Sequence, residues 1–200
     1  MGRHYKVDKL MNEAVDYLKS QGAIIIEIDQ IAKINVNQLS FQVMLYEYKD
    51  GLNKYFESLG ENAPIKSVED LIAFNKKDSI ELSIFDQEYL VMAHEKGSLD
   101  SKEYLDALKE MQKAITKDGI DAVMAEHNLD AFIGPTGSPA WKTDWTNGDH
   151  YMLSSSSPAA IAGYPHITVP MGFIDGLPVG ISFFGCAWSE PLLIELAYAY

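Results

Sequence analysis

Residues with the chemistry of a hydrolase lie close together between residues 149 and 157 of the chain. Asp149 and His150 are followed by the serine run Ser154–Ser157, so a carboxylate, a base and a nucleophile are all present in one short stretch. A Ser-His-Asp enzyme also needs an oxyanion hole, and no Gly-x-Ser-x-Gly turn occurs here. The run ends directly before Pro158, where a serine that caps a helix is expected. A triad of Ser156, His150 and Asp149 is one hypothesis, and a purely structural serine run is the alternative.

No set of residues has the spacing of a metal site or a nucleotide cofactor site. The five histidines are His4, His94, His127, His150 and His166. None pairs at a metal-ligand spacing, and Cys186 is the only cysteine, which excludes a disulfide within the chain. The glycine pairs between Gly172 and Gly180 fit turns rather than a dinucleotide fingerprint. We therefore predict no metal and no cofactor, with Cys186 as a small packed side chain or, if exposed, a reactive thiol.

A long irregular segment follows the first predicted strand of the second half of the chain. Residues 134–151 are rich in Gly, Pro, Thr, Asp and Trp without periodicity, so we predict a loop that leaves the carboxyl end of the strand Asp130–Pro135. Ligands bind at such strand ends in open α/β sheets, and long loops in compact domains are often functional. Trp141 and Trp145 either line an apolar pocket or pack in the core or at its edge.

The elements that must hold this loop are predicted from periodicity and turn residues. In the second half, a helix begins at Ser157 as N-cap with Pro158 at N1 and ends at Gly163, and a last helix opens at Ser189. Between them, two strands form a hairpin about Asp175-Gly176. These strands are His166–Pro170 and Pro178–Phe184.

The first half of the chain is predicted to be mostly helical. Helices are predicted over Val7–Leu18 before Gly22 and over Phe41–Leu59 before Gly60, the second with one apolar face. Further helices open near Ser67, with Asp70 as a variant capping box, and near Asp100, with a break at Gly119. The β-branched run Ala23–Ile28 is predicted to be a buried strand.

Composition limits the class of protein and its partners. The 200 residues are 47% hydrophobic and 22% charged, which predicts one globular domain over residues 1–200. A net charge of −13 argues against nucleic-acid binding. No stretch of about 18 apolar residues predicts a membrane helix, and neither the first residues nor the cysteine content suggests secretion, so we expect a cytoplasmic protein.

Several ordered segments together resemble a known family. The run Pro158–Gly172, with Ala-Gly-Tyr-Pro followed by Thr-Val-Pro, precedes Gly176-Leu177-Pro178-Val179-Gly180, and Gly185 and Glu190 complete the pattern. The strand Asp130–Thr136 and the helix around Tyr48–Tyr55 fit the same order. This set, spread over essentially all 200 residues, resembles the carboxy-terminal part of amidase-signature enzymes.

The resemblance implies an α/β fold, a mixed β-sheet covered by helices, and hydrolysis of carboxylic amides to acid and ammonia or amine. In the family, a Ser nucleophile, a second Ser in a cis peptide and a Lys carry the reaction from segments upstream of those seen here. No position of this chain matches them, so we predict no catalytic residue in it and no activity of the chain alone.

The resemblance further implies that this part of the fold forms one side of the substrate cleft. The residues we expect to face a small-molecule amide are in the loop from Pro135 to Tyr151: Thr136, Gly137, Trp141, Asp149 and His150. Alternatives are a non-catalytic binding or oligomerisation module, associating through an exposed sheet edge, and a fragment of an amidotransferase A subunit, which the acidity of the chain disfavours.

Overall fold

The computed structural model describes residues 4–200, which fall into two compact units. One unit comprises the described residues up to Ile34 together with Gln112–Tyr200, and the other comprises Asn35–Met111. The prediction of one domain over residues 1–200 stays a prediction. The elements in chain order are α1 (Tyr5–Ser20), α2 (Val36–Ser58), α3 (Val68–Asn75), α4 (Glu81–Ile84), α5 (Glu88–His94), α6 (Lys102–Ile115), a π-helical turn (Thr116–Ile120), α7 (Asp121–His127), β1 (Phe132–Pro135), α8 (Ser157–Ala162), β2 (His166–Ile174), β3 (Leu177–Phe184) and α9 (Glu190–Ala199).

The predicted helix ends are confirmed where glycine or a cap sets them. Gly22 and Gly60 follow α1 and α2 with φ of 96° and 80°, the left-handed backbone that favours glycine after a helix. At α3 the hydroxyl of Ser67 accepts a hydrogen bond from the Asp70 N–H at 3.1 Å, and the Asp70 carboxylate accepts one from the Lys66 N–H at 3.0 Å. This is a variant of the capping box, as expected from the sequence, in which the Asp70 carboxylate bonds to the residue before the N-cap instead of the N-cap itself.

The predicted break at Gly119 is also confirmed. Gly119 has non-helical backbone angles (φ −112°, ψ −105°) inside the π-helical turn between α6 and α7. A Cβ atom there would lie 2.7 Å from the Ala114 carbonyl oxygen, so a larger residue cannot occupy the position without movement of the backbone.

The apolar face predicted for α2 is only partly buried. Leu45 and Phe56 of that face are buried, together with Val43 and Tyr46, which lie outside it. Four large side chains of the predicted face are exposed instead: Met44, Tyr48, Tyr55 and Leu59. Helical periodicity therefore predicts the helix correctly but not which of its residues are covered.

The segment Ala23–Ile28 is not a strand, and the prediction of a buried strand is wrong. The side chain of Ile24 is 89% exposed, and no strand among the described residues pairs with this segment. Strand propensity of β-branched residues depends on a neighbouring strand, and this segment has none in the described chain, although Ile28 packs against a buried apolar cluster.

The sheet has three strands in the order β1-β3-β2. Both pairings are antiparallel, with Gly134 opposite Ser182 and Thr168 opposite Ser182 on the other side. The β2–β3 hairpin turns at Asp175-Gly176 with φ of 51° and 83°, as the Asp-Gly pair predicts. The α/β class is confirmed, and the mixed strand direction expected from the resemblance is not found among these three strands.

One face of the sheet is covered by α1 and α9. Ile181 and Phe183 of β3 are buried there against Met11 and Ala14 of α1 and Leu193 of α9. Because side chains alternate along a strand, the residues between them point to the opposite face. On that face a row of stacked rings, Phe132, Phe184 and His166, crosses all three strands.

None of the helices in the described residues is both long enough and apolar enough to span a membrane.

Candidate functional site

The loop that follows β1 is anchored to the sheet at its first residue. Thr136 extends the strand ladder by one hydrogen bond, from its N–H to the Gly180 carbonyl at 2.8 Å. Its carbonyl accepts a bond of 3.4 Å from the Ser155 N–H, and Gly137 forms a single antiparallel bridge with Ser154. The two ends of the loop, 136–138 and 154–156, are therefore joined to each other as well as to the sheet, and we call them the loop base.

Three hydroxyl groups meet under the loop base, and we call Thr136, Thr168 and Ser182 the hydroxyl cluster. The Thr136 Oγ1 atom lies 2.7 Å from Ser182 Oγ and is hydrogen-bonded to Thr168 Oγ1. The Thr168 hydroxyl also donates to the Ile181 carbonyl at 3.3 Å. The three residues come from the end of β1, from β2 and from β3, so the cluster ties all three strands together.

Glycines allow the close approach on this face. A Cβ atom on Gly134 would lie 3.3 Å from Ser155 Cβ, and one on Gly180 would lie 2.8 Å from the hydroxyl oxygens of both Thr136 and Thr168. The Ser155 and Ser138 hydroxyl oxygens are buried without a hydrogen-bond partner in the described residues. The loop base is thus a closely packed polar layer on the sheet.

The part of the loop from Trp141 to Tyr151, which we call the loop tip, is held by bonds within itself. The Trp141 indole N–H donates to the Asp149 carboxylate at 3.0 Å, and the Trp141 and Tyr151 rings meet edge to face at 6.2 Å. Trp141 is 39% exposed, and Trp145 is 73% exposed. Neither tryptophan is a core residue, and a role in lining a pocket stays a prediction.

Asp144 organises the turn inside the loop tip. Its carboxylate accepts hydrogen bonds of 2.9 Å from the Asn147 side chain and from the N–H groups of Asn147 and Thr146. These bonds, the Asn147 side-chain bond foremost, lower the pKa of the Asp144 carboxyl to about 2. His150 lies with its Nε2 atom 3.9 Å from the Asp144 carboxylate.

The structure does not assemble the triad of Ser156, His150 and Asp149. The Ser156 hydroxyl is hydrogen-bonded to Ser154 Oγ at 2.9 Å, Asp149 accepts from Trp141, and His150 approaches Asp144. A triad requires the base to contact both the nucleophile and the carboxylate, and here each of the three groups has another neighbour.

The serine run has a structural place that differs by one residue from the prediction. Ser156 rather than Ser157 is the N-cap of α8, Pro158 is in the first turn, and no serine side chain caps the helix by a hydrogen bond. The termination at Gly163 is confirmed, with φ of 70°. Because Ser154 and Ser156 bond to each other, their hydroxyls stabilise the loop base instead of the helix end.

Two residues of this region were missed by reasoning from the sequence, Thr168 and Ser182. The predicted hairpin could have identified them. A turn at Asp175-Gly176 pairs the two strands, and because side chains alternate between the faces of a strand, Thr168 and Ser182 lie on the same face. The prediction treated the loop as an isolated segment and did not ask which strand residues lie under it. Ligands bind at the carboxyl ends of strands in open α/β sheets with parallel strands. Because β1 pairs antiparallel with β3, this rule does not apply to the loop that follows β1.

The described residues contain no group of three His, Cys, Asp or Glu side chains that could hold a metal ion. Cys186 is half-buried, and its thiol donates to the Met124 sulfur at 3.4 Å. Burial raises the pKa of the Cys186 thiol, so it stays protonated at neutral pH. This supports the packed role predicted for it.

Comparisons with known proteins give a consistent set of similarities. A family model described as Amidase matches residues 2–194. A probable amidase of Arabidopsis thaliana is 32% identical over 208 residues, covering 100% of this chain and 37% of the plant protein. The solved structure of native peptide amidase from Stenotrophomonas maltophilia is 41% identical with a TM-score of 0.85, over 96% of this chain and 39% of that one. The A subunit of glutamyl-tRNA(Gln) amidotransferase from Listeria monocytogenes is 39% identical over 106 residues, covering 50% of this chain and 22% of the subunit.

Proposed function

Because the chain belongs to the amidase family, we propose that it forms the carboxy-terminal part of an enzyme that hydrolyses carboxylic amides to an acid and ammonia or an amine. The chain spans about two fifths of the length of the amidases it matches, 37% and 39%. Its role in the reaction is to supply the sheet and the loop that follows β1, and the nucleophile comes from outside these residues.

The observation that carries the proposal is the match to peptide amidase. The structural similarity extends over 96% of this chain at 41% identity. In the sequence comparison, the plant amidase aligns with 100% of this chain and the amidotransferase subunit with 50%. We propose peptide amides as the substrate class, following the name of this relative. The exposed rings of Trp141 and Tyr151 suit contact with a peptide side chain, because aromatic side chains bury a large area at little entropic cost.

The reaction we propose follows the Ser-cisSer-Lys mechanism implied by the family resemblance. The geometry of the described residues supports this assignment, since the candidate nucleophile Ser156 and the base His150 have other partners. Thr136, Gly137, Trp141, Asp149 and His150 remain the proposed substrate-facing residues. Of these, Trp141 and Asp149 act as a pair, because the indole N–H is bonded to the carboxylate.

The first experiment compares the chain alone with a chimera. In the chimera, this chain replaces the corresponding segment of Stenotrophomonas maltophilia peptide amidase, and both proteins are given a peptide with a carboxy-terminal amide. We expect ammonia release from the chimera and none from the chain alone. A folded chimera without turnover argues against the proposed function, and turnover by the chain alone argues against a nucleophile outside it.

The loop tip is then tested in the same chimera. Replacing Trp141 by Ala removes its ring and its bond to Asp149, and we expect a higher KM for the peptide amide with a smaller change in kcat. Trp188→Ala is the matched control, since Trp188 is 88% exposed and lies outside the loop. Equal effects of the two substitutions would remove the loop tip from the proposal.

The amidotransferase alternative makes a different prediction. The name of the amidotransferase subunit implies a tRNA partner. A chain with a net charge of −13 is poorly suited to bind a polyanion such as tRNA. Amide hydrolysis by the chimera with peptide amides, unaffected by added tRNA, separates the two assignments.

A further inference from the structure

The hydroxyl cluster is not explained by amide hydrolysis alone. Ser182 is fully buried, and a buried hydroxyl is costly unless it has a hydrogen-bond partner. Its partner is Thr136 at 2.7 Å, the residue at which the loop leaves the sheet. The buried polar group of β3 is therefore satisfied only when the loop begins in this position.

The side chain of Thr136 is engaged at two of its three hydrogen-bonding sites. A threonine hydroxyl has one donor and two acceptor sites, and Thr136 Oγ1 has Ser182 and Thr168 as partners. Its backbone N–H and carbonyl are also bonded, to Gly180 and Ser155. Both the side chain and the backbone of Thr136 are therefore held by the sheet and the loop base, with one hydroxyl site left for a ligand.

Little space is left beside the cluster on the side of Gly180. A Cβ atom on Gly180 would lie 2.8 Å from two of the hydroxyl oxygens and 3.1 Å from the Val169 carbonyl oxygen. The absence of a side chain at this position therefore allows the hydroxyls of Thr136 and Thr168 to approach the strand.

We infer that Thr168 and Ser182 are positioning residues, which hold Thr136 and through it the loop base, so that the loop tip is presented to a substrate in one orientation. The functional half of this inference rests on the proposed function, because only a substrate-facing loop gains from being held. It gives Thr136 a positioning role in addition to the substrate-facing role proposed for it.

The test uses the whole chain and needs no turnover, so its result is separate from that of the amidase assay. Amide hydrogen exchange at Thr136 and Ser155 is followed by NMR in the wild type, Thr168→Val, Thr168→Ser and Val169→Ala. Valine keeps the shape of threonine without the hydroxyl, serine keeps the hydroxyl, and Val169 is the neighbouring residue of β2, which packs against the apolar core on the other face.

We expect Thr168→Val to accelerate exchange at Ser155 by about fivefold, the factor that corresponds to one lost hydrogen bond. Thr168→Ser restores the wild-type rate. Val169→Ala does not change exchange at Ser155 relative to exchange at the amides of the sheet strands. If Thr168→Val does not fold, Ser182→Ala is measured in its place, and faster exchange at Ser155 is again expected. Wild-type exchange at Ser155 in the hydroxyl-deleted variants, or failure of serine to rescue, would overturn the inference.

Discussion

Ile181 and Ser182 are neighbours in β3, and both are fully buried, yet they are buried for different reasons. Ile181 packs against α1 and α9 on the apolar face of the sheet, where exclusion of water stabilises the fold without directional contacts. Ser182 points to the other face, where its hydroxyl bonds to the first residue of the loop. Ile181 thus lies on a face whose contacts are apolar, whereas the face of Ser182 combines an apolar cluster around Phe132 and Phe184 with the hydroxyls that hold the candidate site.

The largest expected effect is on the apolar face. Ile181→Ala should lower the free energy of unfolding by about 2–5 kcal/mol, because it removes a fully buried side chain and leaves a cavity. Urea denaturation followed by circular dichroism measures the change. The matched control is Ile194→Ala in α9, since Ile194 is 58% exposed and should cost much less. Similar costs at the two positions would contradict the assignment of the core.

A steric change tests the packing of the polar face. Gly180→Ala places a methyl group 2.8 Å from the Thr136 and Thr168 hydroxyl oxygens, and we expect a loss of about 1–3 kcal/mol from this overpacking. Gly137→Ala, whose Cβ would meet only the Leu153 carbonyl oxygen at 3.7 Å, is the control in the same loop. The comparison fails if thermal and urea unfolding show the two alanine variants to be equally stable.

A smaller effect is expected from removing the buried hydroxyl itself. Ser182→Ala should cost about 1 kcal/mol, the net value of a typical hydrogen bond, and clearly less than Ile181→Ala. Ser156→Ala removes a hydroxyl at an exposed position of the loop base and serves as the reference. If Ser182→Ala is as destabilising as Ile181→Ala, the two faces do not differ in the way described.

The smallest effect is local and depends on pH. The pKa of the Asp144 carboxyl is lowered to about 2, so the turn it holds is fully stabilised above the ordinary pKa of an aspartate and loosens as pH falls through about 2. The amide NMR signals of Thr146 and Asn147, which donate to this carboxylate, should titrate with that midpoint. In Asp144→Asn the titration should disappear, and a midpoint at the ordinary value would contradict the assigned bonds.

Reasoning from the sequence predicted the local features of the fold well. Gly22, Gly60, Gly119, Gly163 and the Asp175-Gly176 turn each impose a backbone conformation that depends on few neighbours, and all five lie where predicted. The strand predicted at Ala23–Ile28 failed because a strand requires a partner that local sequence does not specify. Burial along α2 failed for the same reason, since periodicity identifies an apolar face but not what covers it.

The loop that carries the candidate site was predicted in position, but its internal contacts were not. The loop after β1 was expected from its composition, whereas the bonds from Thr136 to Thr168 and Ser182 join residues far apart in the chain. Neither side chain has a distinctive motif, so only the register of the hairpin could have linked them to the loop. The pairing of His150 with Asp144 rather than Asp149 depends on the turn at Asn147, which the triad hypothesis did not consider.

The most direct test of the central claim is to find the serine that reacts. The active chimera is treated with a fluorophosphonate, which labels nucleophilic serines, and the labelled peptide is identified by mass spectrometry. The account predicts a label outside residues 1–200 of this chain and loss of amide hydrolysis in proportion to labelling. A label on any serine of the run Ser154–Ser157 would contradict it and would place the nucleophile in this chain.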